Sequence, residues 1–296
     1  MNMKIFGVGV LIVIINAVLA RYTDSMGIML FLSLTSTVAL IQLIVFLLQK
    51  PLFEMRDKLE KAEKENRVLE KMRGEFVANV THELKTPLTS ISGFIETLQA
   101  GAINDPEISG RFIDIIAIET ERLKRLIDDI LTLSDIENRN QVNKTRINVK
   151  NSVESTVSFL KPIADERKIV LISEVAEDMV IEGDEDRFRQ MLFNLTENAI
   201  KYSNESGRVW ITGKTEEDCN IISVKDEGIG IPAEHLDRLF ERFYRVDKSR
   251  SRKVGGTGLG LSIVKHIAVL FGAKLEVESE VGKGSEFRVI FKNCHK

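Results

Sequence analysis

His82 and Glu83 are the adjacent pair in this sequence best equipped for chemistry. A neutral imidazole is a nucleophile, and a carboxylate beside it can orient the ring and take its proton. Phe76, Val80, Leu84 and Leu88 recur every four residues around the pair, which predicts a helix with one buried face and His82 toward the other. A second group lies far downstream. Asn198 follows Asn194 by one helical turn, and Lys201 follows Glu197 by one turn, with Tyr202 next to it. Asp226 closes an apolar strand and is followed by Gly228 and Gly230, where a missing Cβ lets backbone approach a ring. Gly256, Gly258 and Gly260 open a helix whose first N–H groups favour phosphate. They are not a Rossmann fingerprint, because no strand precedes them and no ribose-binding acid follows. Taken singly, a helical His–Glu pair is most often solvated and a Gly-x-Gly is usually a turn.

These groups need a scaffold. The first long helix should end near residue 98, broken by Gly101 and Pro106, and a second should run over 107–138. The stripe of the second is Phe112, Ile116, Glu119, Leu123, Leu126, Ile130 and Leu133. Two such hairpins, one per chain, would pair into an antiparallel four-helix bundle. Pro87 removes a helical hydrogen bond one turn beyond His82 and predicts a kink there. A polar linker, 140–143, follows. Beyond it the pattern predicts strands near 146–149, 169–175, 179–181, 209–214, 220–226, 274–280 and 286–291. Helices are expected near 151–167, 185–202, 232–240 and 259–271. Mixed strands with helices on one face make a two-layer α+β sandwich.

Upstream, Leu52, Met55, Leu59, Ala62, Asn66, Leu69, Arg73, Phe76 and Val80 alternate spacings of three and four, as in a dimeric coiled coil with a polar Asn66 at one core position. The chain opens with two apolar stretches. Residues 28–48 reach the roughly 20 helical residues that a bilayer core needs, and 5–20 fall slightly short. The alternative for the first is a cleaved signal segment, with small residues near Ala20. Lys50, Arg56, Lys58 and Lys61 follow the second stretch, whereas the connector 21–27 holds Arg21 offset by Asp24. That bias predicts a transmembrane hairpin with both ends cytoplasmic and too short a loop outside to bind a solute. The second membrane helix should join the His82 helix almost directly.

At 296 residues the sequence has room for about two domains. A net charge of −3 gives no ground for nucleic-acid binding, and Cys219 and Cys294 have no metal-ligand spacing. Both read as reduced thiols, Cys219 as a small packing residue.

The run from Phe76 through His82-Glu83-Leu84-Lys85-Thr86-Pro87 to Leu88 resembles the phosphoacceptor box of bacterial membrane-bound sensor histidine kinases. Four further boxes follow in the family's order. Asn194-Leu195-Thr196-Glu197-Asn198-Ala199-Ile200-Lys201-Tyr202 is similar to the Asn box, and Asp226-Glu227-Gly228-Ile229-Gly230-Ile231-Pro232 to the first Gly box. Leu239-Phe240-Glu241-Arg242-Phe243-Tyr244-Arg245 resembles the Phe box, and Gly256-Thr257-Gly258-Leu259-Gly260-Leu261-Ser262 the second Gly box. The resemblance implies four parts: membrane helices over 1–50, a coiled-coil linker over 51–72, a dimerisation and phosphotransfer domain over 73–140, and over 144–296 the ATP-binding fold shared with Hsp90, gyrase B and MutL.

It also implies residue roles. His82 is the phosphorylated nucleophile, Glu83 polarises it, and Thr86 orients a water that dephosphorylates the partner. Asn198 is the Mg²⁺ ligand. Asn194, Lys201, Tyr202, Gly228, Gly230, Gly256, Gly258, Leu259 and Gly260 belong to the ATP site, with Asp226 accepting from the adenine amino group. Arg245 stands near the terminal phosphates, and residues 246–255, with Lys248, Arg250, Arg252 and Lys253, form a lid above Phe240 and Phe243. The implied partners are a second copy, a separate response regulator, the bilayer and an accessory membrane sensor. The rival readings are a degenerate kinase acting as a membrane scaffold, and an ATP-driven clamp. Residues 76–101 are especially similar to phosphate-regulon sensor kinases, whose extra cytoplasmic sensor domain this sequence lacks.

Overall fold

A computed structural model describes residues 2–22, 25–138, 145–216, 219–247 and 256–292; side chains are described from residue 10 onward, except 47–54 and 138. The chain divides into two compact units, Met1–Val77 and Ala78–Lys296.

The first unit holds helix α1 (Asn2–Leu19) and the opening of α2 (Met26–Gln99). Leu32 and Ala39 of α2 are buried, and the Asn16 amide of α1 donates to the Thr35 hydroxyl. The segment Met26–Phe46 of α2 is long and apolar enough to cross a bilayer, with mean hydropathy 2.3, while Val10–Leu19 is a shorter apolar stretch. The heptad residues Met55, Leu59 and Leu69 are exposed on the single chain; the Leu52 side chain lies outside the described residues.

In the second unit the end of α2 turns back into α3 (Pro106–Asn138). Gly101 supplies the reversal with a positive φ of 122°, and a 3₁₀ turn (Ala102–Asn104) follows. Asp105 then caps α3 by accepting from the Glu107 and Ile108 N–H groups, with Pro106 as the first helical residue. Phe94 and Phe112 pack across the hairpin with ring centroids 4.9 Å apart. The stripe of α3 is buried or half-buried throughout, and Leu133 is nearly inaccessible. On α2, Phe76, Val80 and Leu84 are half-buried, but Leu88, expected to be buried, is 56% exposed. Among the described residues the two hairpin helices leave this face of Leu88 open. Helix α2 continues through Pro87, with the Thr86 hydroxyl donating to the His82 carbonyl at 3.2 Å.

The remaining elements are β1 (Thr145–Asn148), α4 (Val149–Glu166), β2 (Val170–Val175), β3 (Val180–Gly183), α5 (Glu185–Tyr202), β4 (Arg208–Glu216), β5 (Cys219–Asp226), α6 (Ala233–Leu236), α7 (Gly260–Leu270), β6 (Lys274–Glu280) and β7 (Gly284–Lys292). Among the described residues, five strands form a mixed sheet in the order β2-β4-β5-β7-β6, and β1 pairs antiparallel with β3. Only β2 and β4 run parallel within the larger sheet.

Strand alternation assigns the faces. Val209 and Ile211 of β4, Ile222, Val224 and Asp226 of β5, and Ser285, Phe287 and Val289 of β7 are buried under the helices. On the opposite face Arg208 lies over the Trp210 ring at 4.9 Å. Phe188 of α5 joins Phe271 and Phe291 in an aromatic cluster. The helix expected over 232–240 is only one turn long. Its continuation uses i→i−3 hydrogen bonds, Arg238 to His235 and Glu241 to Arg238. This tighter winding lets Leu239 bury and Phe240 meet Phe287 edge-on. The expected linker 140–143 lies outside the described residues.

Candidate nucleotide and phosphoacceptor site

A cavity of about 340 Å³ opens between α5, the end of β5, the Gly256–Gly260 loop and the start of α7. Helix α5 starts where Asp184 accepts from the Asp186 and Arg187 N–H groups. From that start, Phe188, Leu192 and Leu195 face the core while Asn194, Asn198 and Lys201 border the cavity. Lys201 pairs with Glu197 at 2.9 Å, and Asn194 donates to the Gly260 carbonyl at 3.4 Å.

Asp226 ends the buried row of β5 and is therefore carried to the cavity floor, only 5% exposed. Burial pushes its carboxyl up to about 6, against backbone hydrogen bonds from Gly228 and Ser285 that pull it down. Gly228 donates to Asp226 at 2.8 Å. A Cβ on Gly228 would fall 2.2 Å from the Tyr202 carbonyl oxygen, so only glycine lets this turn lie against the end of α5.

The loop before α7 is tied to the Phe-rich turn by the Phe243 N–H, which donates to the Gly258 carbonyl at 2.9 Å. Gly258 has φ +77°, and a Cβ there would come within 3.0 Å of the Phe243 backbone. The Thr257 hydroxyl accepts from the Leu259 N–H at 3.3 Å. Of the sequence candidates, Asn194, Asn198, Lys201, Tyr202, Asp226, Gly230, Arg245, Gly256, Gly258 and Gly260 line the cavity. Gly228 and Leu259 shape it from behind, Leu259 being wholly buried. The basic lid residues Lys248, Arg250, Arg252 and Lys253 lie outside the described residues.

His82 sits apart from the cavity on α2, exposed, and among the described residues no side chain pairs with its imidazole. The Glu83 carboxylate is paired with two arginines. Its Oε2 lies 3.0 Å from Arg245 Nη2 and 3.4 Å from Arg122 Nη2. Arg245 also donates to the Thr257 carbonyl at 2.8 Å. The sequence reading missed the α3 side of the site. Arg125, Asp128 and Asp129 line the cavity, and Asp129 accepts from the Thr257 hydroxyl at 2.7 Å. Burial holds the Asp129 carboxyl above the usual range, opposed by that hydrogen bond. Four more links join α3 to the sandwich: Asp135 with Arg187, Thr132 with Gln190 at 3.3 Å, and Glu137 with both Arg242 and, at 3.1 Å, His266. The one signal for this face was Glu119, a charge inside an apolar stripe.

Comparison with known proteins gives the same two halves. Residues 72–139 match the His Kinase A (phospho-acceptor) domain, and 183–294 match the histidine kinase-, DNA gyrase B- and HSP90-like ATPase family. The chain is 41% identical over 231 residues to the sensor histidine kinase WalK of Bacillus subtilis, covering 75% of this chain and 37% of that protein. It is 40% identical over 225 residues to a sensor protein kinase WalK of Staphylococcus aureus, covering 75% and 54%. The chain thus spans about a third to a half of the length of these relatives. Among solved structures, the histidine kinase AdeS of Acinetobacter baumannii superposes with a TM-score of 0.59 at 27% identity, over 72% of this chain and 98% of that one. Histidine kinase ThkA in complex with response regulator protein TrrA gives 0.64 at 28% identity, over 78% and 64%.

Proposed function

The chain belongs to the two-component sensor histidine kinases, and we propose that it uses Mg-ATP to phosphorylate His82 and passes the phosphoryl group to an Asp of a separate response regulator. The observation that carries this reading is an exposed His82, its imidazole unpaired among the described residues, in the same compact unit as a cavity bordered by Asp226, Asn198 and the Gly256–Gly260 loop. Asp226 accepts from the adenine amino group, and the N-terminal amides of α7 meet phosphate oxygens. Lys201 adds positive charge. Arg245 leaves Glu83 for the terminal phosphates as the sandwich swings toward His82. Attack by the imidazole nitrogen forms the P–N bond as the bond to the ADP oxygen breaks, and Glu83 takes the ring proton.

Mg²⁺ fits the residues present. Among the described residues there is no cluster of three or more His, Cys, Asp or Glu side chains suited to a dedicated metal cage. The Asn198 amide oxygen on the cavity wall suits an ion that keeps several waters and is otherwise held by phosphate. Bound there, the ion neutralises phosphate charge.

Thr86, with its hydroxyl one turn from His82, orients a water for the reverse task, removal of phosphate from the regulator. The exposed apolar residues Leu88, Ile95, Ile113 and Ile127 on the two hairpin helices suit a second copy, completing a four-helix bundle. Met26–Phe46 anchors the chain in the cytoplasmic membrane, with α1 as the other arm of a hairpin, and the stimulus arrives through the bilayer or an accessory membrane protein. The parts divide at 1–50, 51–72, 73–140 and 144–296. The test is incubation of the membrane-embedded chain with [γ-³²P]ATP. An acid-labile, alkali-stable phosphoprotein that disappears in His82→Gln supports the reading. Continued ATP turnover without a phosphoprotein would identify a clamp and refute it.

A further inference from the structure

Among the described residues, Arg122 is a buried charge that the reaction above leaves without a task. Arg122 lies on α3 and is only 8% exposed. Its Nη2 reaches Glu83 Oε2 at 3.4 Å, and its Nη1 reaches Glu119 Oε2 at 3.7 Å. That Glu119 oxygen is buried and makes no hydrogen bond, so Arg122 is its charge partner. The resulting order is Glu119, Arg122, Glu83, Arg245, alternating in sign across the hairpin and into the sandwich.

The two guanidiniums on Glu83 differ in how they are rooted. Arg245 belongs to the loop system of the cavity, and it has a second acceptor there in the Thr257 carbonyl. Arg122 stands on the helix packed against α2, and its departure would take the charge partner from the buried Glu119 Oε2 and leave Glu83 half-buried with Arg245. Its planar fork serves both with separate nitrogens, which a lysine ammonium cannot do in the same geometry.

We propose that Arg122 is the positioning residue for Glu83: it keeps the carboxylate anchored beside the nucleophile's helical turn when Arg245 moves to the nucleotide phosphates. The proposal rests on the reading that Glu83 takes the His82 proton. It assigns Arg245 as the exchangeable partner of Glu83 and Arg122 as the permanent one. Loss of Arg122 therefore acts on the chemical step and leaves ATP binding alone, because Arg122 does not border the cavity.

The test is a double-mutant cycle on autophosphorylation of the full chain in lipid vesicles, with kcat and KM for ATP read separately. Arg122→Ala should lower kcat by about tenfold to a hundredfold, part of the roughly 10²–10⁴-fold that a well-placed general base supplies. KM for ATP should stay within about twofold, and Arg122→Lys should recover part of the loss. In a Glu83→Gln background, the same Arg122→Ala change should lower kcat by less than about threefold, since the group it positions is already gone. Equal losses in both backgrounds would make Arg122 a structural residue and overturn the proposal, as would an unchanged kcat in Arg122→Ala. If Arg122→Ala fails to fold, judged by circular dichroism and by binding of a fluorescent ATP analogue, the cycle runs on Arg122→Lys and Arg122→Gln with the same criteria. A parent chain that forms no phosphohistidine, or Glu83→Gln with parental kcat, would remove the role of Glu83 itself, and the proposal would fall with it.

Discussion

Replacing Asp226 by Asn should make the empty protein more stable while making it a poorer nucleotide binder. The Asp226 carboxyl is pushed from 3.8 up to about 6 in the folded chain. At 1.36 kcal/mol per unit, the ionised form costs the fold about 3 kcal/mol at pH 7.5 as an upper bound. The sign follows from the direction. A carboxyl raised on folding destabilises where it is ionised, so the penalty is full above about 6 and vanishes as pH falls toward the unfolded value of 3.8. An asparagine has no charge to desolvate, and its oxygen can still accept from the Gly228 N–H at 2.8 Å. Its new N–H₂ faces the cavity and recovers only part of its hydration. A net gain of about 1–2 kcal/mol remains, which for a domain of this size raises Tm by about 3–6 °C. Calorimetry of the solubilised chain without nucleotide would measure this at pH 7.5 and again at pH 5, where about half of the penalty remains and the gain should shrink by about 1.4 kcal/mol. Affinity for ATP should fall at least about tenfold, because an amide nitrogen meets the adenine donor where an acceptor is needed. A variant less stable than the parent at pH 7.5, or one whose advantage is the same at both pH values, would refute the account of Asp226 as a strained carboxylate kept for recognition.

His82→Ala should abolish the acid-labile phosphoprotein while a fluorescent ATP analogue still binds with parental affinity, because His82 does not border the cavity. Thr86→Ala should spare autophosphorylation and slow dephosphorylation of the regulator; parental rates in a phosphate-release assay would remove Thr86 from the site. Gly258→Ala should weaken ATP binding and cost about 1–2 kcal/mol, since φ +77° is strained for any residue with a Cβ; unaltered affinity by titration would count against the loop. Asn198→Asp should raise the Mg²⁺ concentration needed for half-maximal turnover or change its steepness, and an unshifted Mg²⁺ titration would separate Asn198 from the metal.

The parts that could be read from sequence are those whose signal is local. Helix α5 and strand β6 fall on their expected bounds because a capping Asp184 and a clean alternation mark them within a few residues. Asn194, Asn198 and Asp226 meet at one cavity because each sits at a periodic position of a regular element. The 232–240 segment misled because Pro232 is a good helix start, while the tightening that follows is imposed by the distant Phe287. The α3 face was illegible for the same reason. Arg122 meets a carboxylate 39 positions away, and Asp129 meets a hydroxyl 128 positions away. Glu83 shows the limit most sharply: the neighbour in sequence is His82, but the partners in space are two arginines from elsewhere.

The position of β7 in the sheet has a consequence for biosynthesis. This strand, the last one described, lies between β5 and β6 and contributes Ser285 and Phe287 to the cavity wall. A ribosome that has released α2 and α3 has therefore made the helical hairpin that carries His82, yet about 150 further residues must follow before the pocket can close. At 5–20 residues per second that interval is on the order of ten seconds. Pairing of β7 with β5 is also a non-local step, slow to form relative to the hairpin helices. The nascent chain thus exposes His82 well before the cavity exists, and under the proposed function the hairpins of two chains have time to meet before either one can phosphorylate.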